Sequence, residues 1–143
     1  MTSESLAWPR LALKLLTLRA GESPDAKVLA AAVRAAYDDL AHVSVPLIGQ
    51  AGVDALAGRA LHLAQRQHAC LKQIPEPDQL DEPFARVVAC LQQQDLVVAT
   101  EAAGALFAIL IELLVTFIGK SLTTRLLRQA WPDAFVDARS EEP

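Results

Sequence analysis

Residues 96–119 read LVVATEAAGALFAILIELLVTFIG, and this stretch decides the fold. It is about as long as a membrane-spanning helix, but it contains Glu101 and Glu112. A carboxylate near the centre of a bilayer costs about 3 kcal/mol. The two glutamates lie three helical turns apart and therefore share one narrow edge. The pattern predicts no membrane span and a central helix over 96–118 that is buried on most sides.

The composition of the chain is that of one all-α domain. Hydrophobic residues make up 52% of its 143 residues and aromatic residues only 5%. Alanine and leucine are strong helix formers, whereas the β-branched and aromatic residues that favour strands are sparse. We therefore predict a compact bundle of five to seven helices in a single domain over 1–143.

The second half of the chain resembles the first at an offset of about 70 residues. VPLIGQAGVDALAGRA at 45–60 aligns with VTFIGKSLTTRLLRQA at 115–130, and ten identities fall within the 38 positions 24–61. Two helices of similar composition would also look alike, which is the alternative explanation. We interpret the match as an internal repeat of two three-helix halves packed about a pseudo-twofold axis.

The predicted boundaries follow from the turn and cap residues. The half-repeats cover 6–71 and 83–132, an acidic and proline-rich linker covers 72–83, and a polar tail covers 133–143, which we expect to fray.

Three helix signals are specific enough to be tested. Ser23 is the predicted N-cap of the second helix, which we expect to kink or break near Pro46 before Gly49 ends it. Ser121 is the predicted cap of the last helix.

The sequence Gly119-Lys120-Ser121 matches the end of a phosphate-binding loop. That loop needs a first glycine five residues before Gly119, where this chain has Leu114 within an apolar helix. We therefore predict a junction between helices and no nucleotide site.

A basic patch is predicted on the last helix. Its members are Lys120, Thr124, Arg125 and Arg128, with no acid between Gly119 and Pro132. The patch could bind an anion or an acidic partner, but a solvated helix face is the interpretation that we favour.

A second candidate site lies on the central helix. Its small residues Ala102, Ala105 and Ala108, with Glu101 and Glu112, could line an apolar pocket or form the seam of a dimer. The two carboxylates are too far apart to act as a catalytic pair. We predict no catalytic residues, no enzyme activity and no cofactor.

The histidines and cysteines indicate neither a metal site nor a disulfide. His62 and His68 are six residues apart, a spacing that does not suit a metal pair on a helix. Cys70 and Cys90 lack a CxxC pattern, and we expect them to be buried reduced thiols of a cytoplasmic protein. The net charge of -4 also argues against a nucleic-acid partner.

The expected function is that of a non-enzymatic interaction or regulatory module that works through protein–protein contacts as a homodimer. The mean hydropathy of +0.26 suggests more apolar surface than one small core needs. The alternative is a sensor or carrier that binds an apolar small molecule between its helices.

Overall fold

The computed structural model describes residues 3–21, 25–73 and 83–135. The described chain is an all-α bundle, which confirms the predicted fold class. Its elements are α1 (Ser3–Ala20), α2 (Ala26–Gln65), a 3-10 helix (Ala69–Gln73), α3 (Pro83–Leu91), α4 (Leu96–Ile118) and α5 (Lys120–Ala130).

The central position predicted for the apolar helix is found in α4. This helix packs against α1, α2 and α5. Ala102, Ala103, Leu106 and Phe107 are all buried within it. Because small side chains alternate with large ones along its inner faces, neighbouring helices can approach α4 closely without leaving voids.

Four aromatic side chains form a continuous chain through the core. Tyr37 of α2 stacks on Phe84 of α3 with ring centroids 4.0 Å apart. The ring centroids of Phe84 and Phe107 of α4 are 5.6 Å apart, and Phe107 and Trp131 form a T-shaped pair at the same distance. Trp131 Nε1 also donates a hydrogen bond to the carbonyl oxygen of Ala36 at 2.9 Å. These contacts join α2, α3, α4 and the end of α5.

The long helix α2 breaks at Gly49, where φ is 81° and ψ is 160°. Pro46 lies within the helical part, so the break predicted near Pro46 falls three residues later. The reason is conformational: proline keeps a helical φ, whereas a positive φ with an extended ψ is a region that glycine alone occupies readily. We call 26–48 the N-terminal arm of α2 and 50–65 its C-terminal arm.

The helix starts differ from two predictions. Asp25 is the N-cap of α2 and accepts a hydrogen bond from the amide of Val28, whereas Ser23 lies outside the described residues. Gly119 precedes α5 without a side-chain cap, and Ser121 is already inside that helix. The prediction that Ser121 caps this helix was wrong. The chain turns at Gly119, whose φ is positive, so the helix begins at Lys120, one residue before the serine.

Several positions that lie 70 residues apart share structural features. Asp95 caps α4 as Asp25 caps α2, 70 residues earlier. Gly119 ends α4 with φ 93° and ψ 158°, close to the values at Gly49. These agreements support a common pattern for the two halves, and the duplication itself stays a prediction.

Residues 133–135, which the sequence assigns to the tail, pack against the bundle. Asp133 accepts hydrogen bonds from Arg19 of α1 at 3.1 and 3.3 Å, and Ala134 is buried. Arg19 also donates to Asp39 of α2 at 2.7 Å. One arginine therefore connects α1, α2 and the segment after α5; the rest of the predicted tail lies outside the described residues.

Both α2 and α4 are long and apolar enough to cross a membrane by length and composition. Half of the most apolar window of α4 is buried inside the fold, as is 22% of that of α2. The core helix of a soluble protein has the same character, so the absence of a membrane span stays a prediction.

Candidate functional site

The outer face of α4 carries the candidate site. Val97, Glu101, Ala105, Ala108 and Glu112 recur at spacings of three and four residues, which places them on one side of the helix. Val97 is 63% exposed, and both glutamates are exposed. Ala105 is half-buried and Ala108 is buried at 6% exposure. This face, which we call the α4 stripe, therefore presents Val97 and two carboxylates to the surface, with a recessed floor of two alanines between the carboxylates.

A groove of about 390 Å³ lies along the α4 stripe. Its α4 wall includes Glu101, Ala105, Ala108 and Glu112, four of the five residues that the sequence predicted for this site. The fifth, Ala102, is buried and belongs to the core side of the helix. The groove is open to solvent, so a long ligand or a polypeptide segment can enter it from the side.

The opposite wall comes from parts of the chain that the pocket prediction did not include. Pro9 and Leu13 of α1 line it, together with Gln67 after the end of α2. No local pattern signals their contribution, because it depends on where α1 crosses α4. Leu13 is a large apolar residue that is 38% exposed, a property that the structure shows and the sequence does not.

Gly104 sets the distance between the two walls. A Cβ atom at this position would lie 2.8 Å from Cδ2 of Leu13, which is closer than real Cβ contacts. The absence of a side chain at Gly104 therefore lets α1 approach the backbone of α4. The groove opens beside this crossing, where Ala105 and Ala108 leave the floor shallow.

The electrostatic character of the groove comes from Glu101 and Glu112. Eleven residues of helix separate them, which is about 16 Å along the axis. Within the described part of the chain, neither carboxylate has a hydrogen bond or an ion pair. Arg10 and Lys14 of α1 are not among the described residues that line the groove. The groove therefore offers two carboxylates to a cationic ligand.

The predicted basic patch lies on α5, but its members are not equally available. Lys120, Arg125 and Arg128 are exposed, and Thr124 is half-buried. The hydroxyl of Thr124 donates to the carbonyl oxygen of Lys120 at 2.9 Å. The guanidinium of Arg128 lies 4.8 Å from the ring centroid of Phe135, a cation–π contact. The role of this patch in binding an anion or a partner stays a prediction.

A second cleft lies inside the bend of α2, between its two arms and α4. Tyr37, Ser44, Ile48 and Leu110 are among the residues that line it, and its volume is about 10 Å³. The buried hydroxyl of Ser44 has no hydrogen-bond partner among the described residues. The space suits about one water molecule and is too small for an organic ligand.

Among the described residues, no group of three or more histidine, cysteine, aspartate or glutamate side chains is placed to hold a metal ion. His42 and His62 are exposed, and His68 is half-buried. Asp38, four residues before His42, pairs with Arg34 at 2.5 Å.

No family model, curated protein or solved structure matches this chain.

Proposed function

We propose that the protein is a non-enzymatic interaction module that binds an amphipathic helix of a partner protein in the α4 groove. The observation that carries this proposal is the combination of an open apolar groove with carboxylates at two points along it. Helix-in-groove recognition uses an apolar face for affinity and flanking charges for orientation.

The dimensions of the site suit a helix. From Val97 to Glu112 the α4 stripe covers fifteen residue steps, about 22 Å or four helical turns. Beside Gly104, which is buried against Leu13 of α1, its centre carries the small residues Ala105 and Ala108. Small side chains allow two helix axes to approach each other closely, so a partner helix with leucine or methionine on its inner face would fit against them.

The charges favour a basic partner over a second copy of the chain at this face. If two copies met through their α4 stripes, carboxylates would face carboxylates, and like charges in an interface are unfavourable. A partner helix with lysine or arginine about three turns apart would instead reach Glu101 and Glu112 together. The site therefore points to a basic amphipathic helix.

A homodimer is a second proposal, and it rests on a different surface. Phe117 is 63% exposed and Leu47 is 48% exposed. Each lies two residues before a glycine break, at Gly119 and Gly49 respectively. Large exposed apolar side chains of this kind are common at protein interfaces.

A small apolar ligand in the α4 groove is the remaining proposal. The volume of about 390 Å³ falls within the range of sites for drug-sized molecules. A neutral apolar ligand makes no use of the two glutamates, however, and the open side of the groove would leave much of it in water. We therefore rank this function below protein binding. Cytoplasmic location and the lack of a nucleic-acid partner remain predictions from composition.

The test passes an extract of the source cells over the immobilised chain. It compares the proteins that the original chain retains with those that its variants retain. We expect a protein that is retained by the original chain and lost with Glu112→Lys and with Ala105→Arg. The matched control is Asp54→Lys, which makes the same charge change on the C-terminal arm of α2, outside the groove lining. Retention that survives both groove variants, or is lost equally with the control, would contradict the proposal.

Native mass spectrometry of the gently purified protein separates the three proposals. A monomer without extra mass supports binding of a separate partner. A dimer that Phe117→Ser converts to monomer supports the homodimer. A monomer that carries a compound of a few hundred daltons, lost with Ala108→Leu, supports the small-molecule carrier instead.

A further inference from the structure

Cys70 and Cys90 are in direct contact across the junction between the two halves. Cys70 belongs to the 3-10 helix and Cys90 to α3. Sγ of Cys90 lies 3.3 Å from the carbonyl oxygen of Cys70, to which its thiol donates. Both side chains are free thiols. The spacing of twenty residues in sequence gives no hint of this contact, which depends on how the 3-10 helix folds back onto α3.

The two cysteines are held in place by buried neighbours. Leu71 follows Cys70 and Leu91 follows Cys90, and both leucines are fully buried. The carbonyl oxygen of Leu71 also accepts a hydrogen bond from the side chain of Gln65 at 3.1 Å. The contact between the cysteines therefore belongs to a packed part of the fold and does not depend on a free loop.

The two thiols differ in accessibility. Cys70 is buried, with 9% of its surface exposed, whereas Cys90 is half-buried. The amide Nε2 of Gln94 lies 3.8 Å from Sγ of Cys90 and donates to it. Cys90 is therefore the thiol that a dissolved reagent reaches first, and Cys70 is the less accessible thiol of the pair.

We infer that Cys70 and Cys90 form a reversible disulfide bond that joins the 3-10 helix to α3 when the protein meets a small-molecule disulfide such as oxidised glutathione. The thiolate of Cys90 attacks one glutathione sulfur, and a mixed disulfide forms as the first glutathione thiolate leaves. The thiolate of Cys70 then attacks Sγ of Cys90 and displaces the second glutathione. The two cysteines lose two electrons and two protons, which end on two glutathione thiols.

The surroundings make this reaction slow at neutral pH. Burial raises the pKa of the Cys70 thiol above its ordinary value, and the neighbouring Cys90 raises it further. Burial also raises the pKa of Cys90, although the hydrogen bond from Gln94 partly offsets this effect. Because the thiolate is the attacking species, the rate of bridge formation should increase as the pH rises.

The bridge would close a loop whose ends are twenty residues apart and which contains the acidic, proline-rich segment 74–82. A constraint of that length on the unfolded chain raises the melting temperature of a domain of this size by about 5 to 10 °C. The bond would also fix α3 beside the 3-10 helix, next to the stack of Phe84 on Tyr37 that holds α3 against α2.

The experiment incubates the full chain with oxidised glutathione at pH 7 and pH 9, followed by intact mass measurement, non-reducing peptide mapping and thermal unfolding. We expect a loss of two hydrogen atoms in mass, a mapped Cys70–Cys90 link, faster formation at the higher pH and a higher melting temperature. Dithiothreitol should restore the original mass, remove the link and return the melting temperature to its starting value. Cys90→Ser and Cys90→Ala should each abolish the link and the temperature shift; two variants guard against a substitution that itself unfolds the chain.

The inference is overturned by a protein that stays reduced, by a glutathione adduct that never resolves, or by links between chains. A mapped bridge that lowers the melting temperature would also overturn the stabilising role, because it would mean that the native geometry is distorted by the bond.

Discussion

Gly49 and Gly119 hold almost the same backbone conformation, with φ and ψ of 81° and 160° at Gly49 and of 93° and 158° at Gly119. Each glycine ends a long helix segment that contributes to the core, and a shorter helix segment follows it. The region of φ and ψ that they occupy is nearly closed to other residues. The direction of the C-terminal arm of α2 and that of α5 therefore both depend on a single residue.

Replacing either glycine with alanine should destabilise the protein by about 1 to 3 kcal/mol. Nothing lies within 4 Å of a Cβ atom built at Gly49 or Gly119, so the cost is conformational and not steric. Urea unfolding followed by circular dichroism measures the change. Gly58→Ala is the matched control: Gly58 also has open space around its Cβ position but lies in helical backbone. That change should stabilise the protein by about 0.5 to 1 kcal/mol, and equal effects at Gly58 and Gly49 would contradict this account.

Trp131→Phe should cost about 2 to 3 kcal/mol of unfolding free energy. The indole is fully buried and donates from Nε1 to the carbonyl oxygen of Ala36 at 2.9 Å. Phenylalanine removes that donor and leaves a gap beside Phe107. Trp8→Phe is the control, because Trp8 is only partly buried, and its cost should stay below about 1 kcal/mol. A larger loss at Trp8 than at Trp131 would show that the core is arranged differently.

Phe84→Ala should destabilise the protein by about 3 to 5 kcal/mol, whereas Phe117→Ala should change its stability by less than about 0.5 kcal/mol. Phe84 is completely buried and contacts both Tyr37 and Phe107. Phe117 is 63% exposed. Thermal unfolding of both variants at low protein concentration, where a dimer would dissociate, gives the comparison. Equal losses would mean that Phe117 is covered in the isolated chain.

Composition was sufficient for the fold class, and the length and apolar character of 96–118 were sufficient for the central helix. α4 is apolar on nearly all sides, and such a helix has to be surrounded by others. The exact positions of the turns were harder to predict from the sequence. Pro46 and Gly49 both signal a helix break, but only the glycine has the positive φ that produces one. Similarly, Ser121 has a side chain suited to capping, but it lies inside the helix that begins directly after Gly119.

The candidate site was only partly predictable. The helical periodicity of 96–118 predicts Glu101, Ala105, Ala108 and Glu112 on one face, and all four line the groove. Periodicity cannot say which helix lies beside that face, so Leu13 and the rest of the far wall were not predicted. Contacts between distant parts of the chain, including that between the two cysteines, depend on packing angles that a single sequence does not contain.

The ion pair between Arg19 and Asp133 should make stability depend on acid pH. Burial alone would raise the pKa of Asp133, but the hydrogen bonds and charge of Arg19, with the amides of Asp133 and Ala134, lower it below its ordinary value. A carboxylate with a lowered pKa stabilises the fold at pH values above its unfolded pKa of about 4. That contribution is lost as the pH falls through the lower pKa of the folded state.

Asp133→Asn should therefore reduce the unfolding free energy at pH 6 by no more than about 1 kcal/mol, since the Asp133 side chain is 43% exposed and solvent screens the pair. Urea unfolding of the original chain and the variant between pH 2 and pH 6 should show the two curves converging at the acid end. Asp38→Asn is the control: it removes an exposed pair with Arg34 within one helix, worth about 0.3 to 0.5 kcal/mol. Curves for Asp133→Asn that stay parallel to those of the original chain down to pH 2 would show that Asp133 does not titrate with a lowered pKa in the folded state.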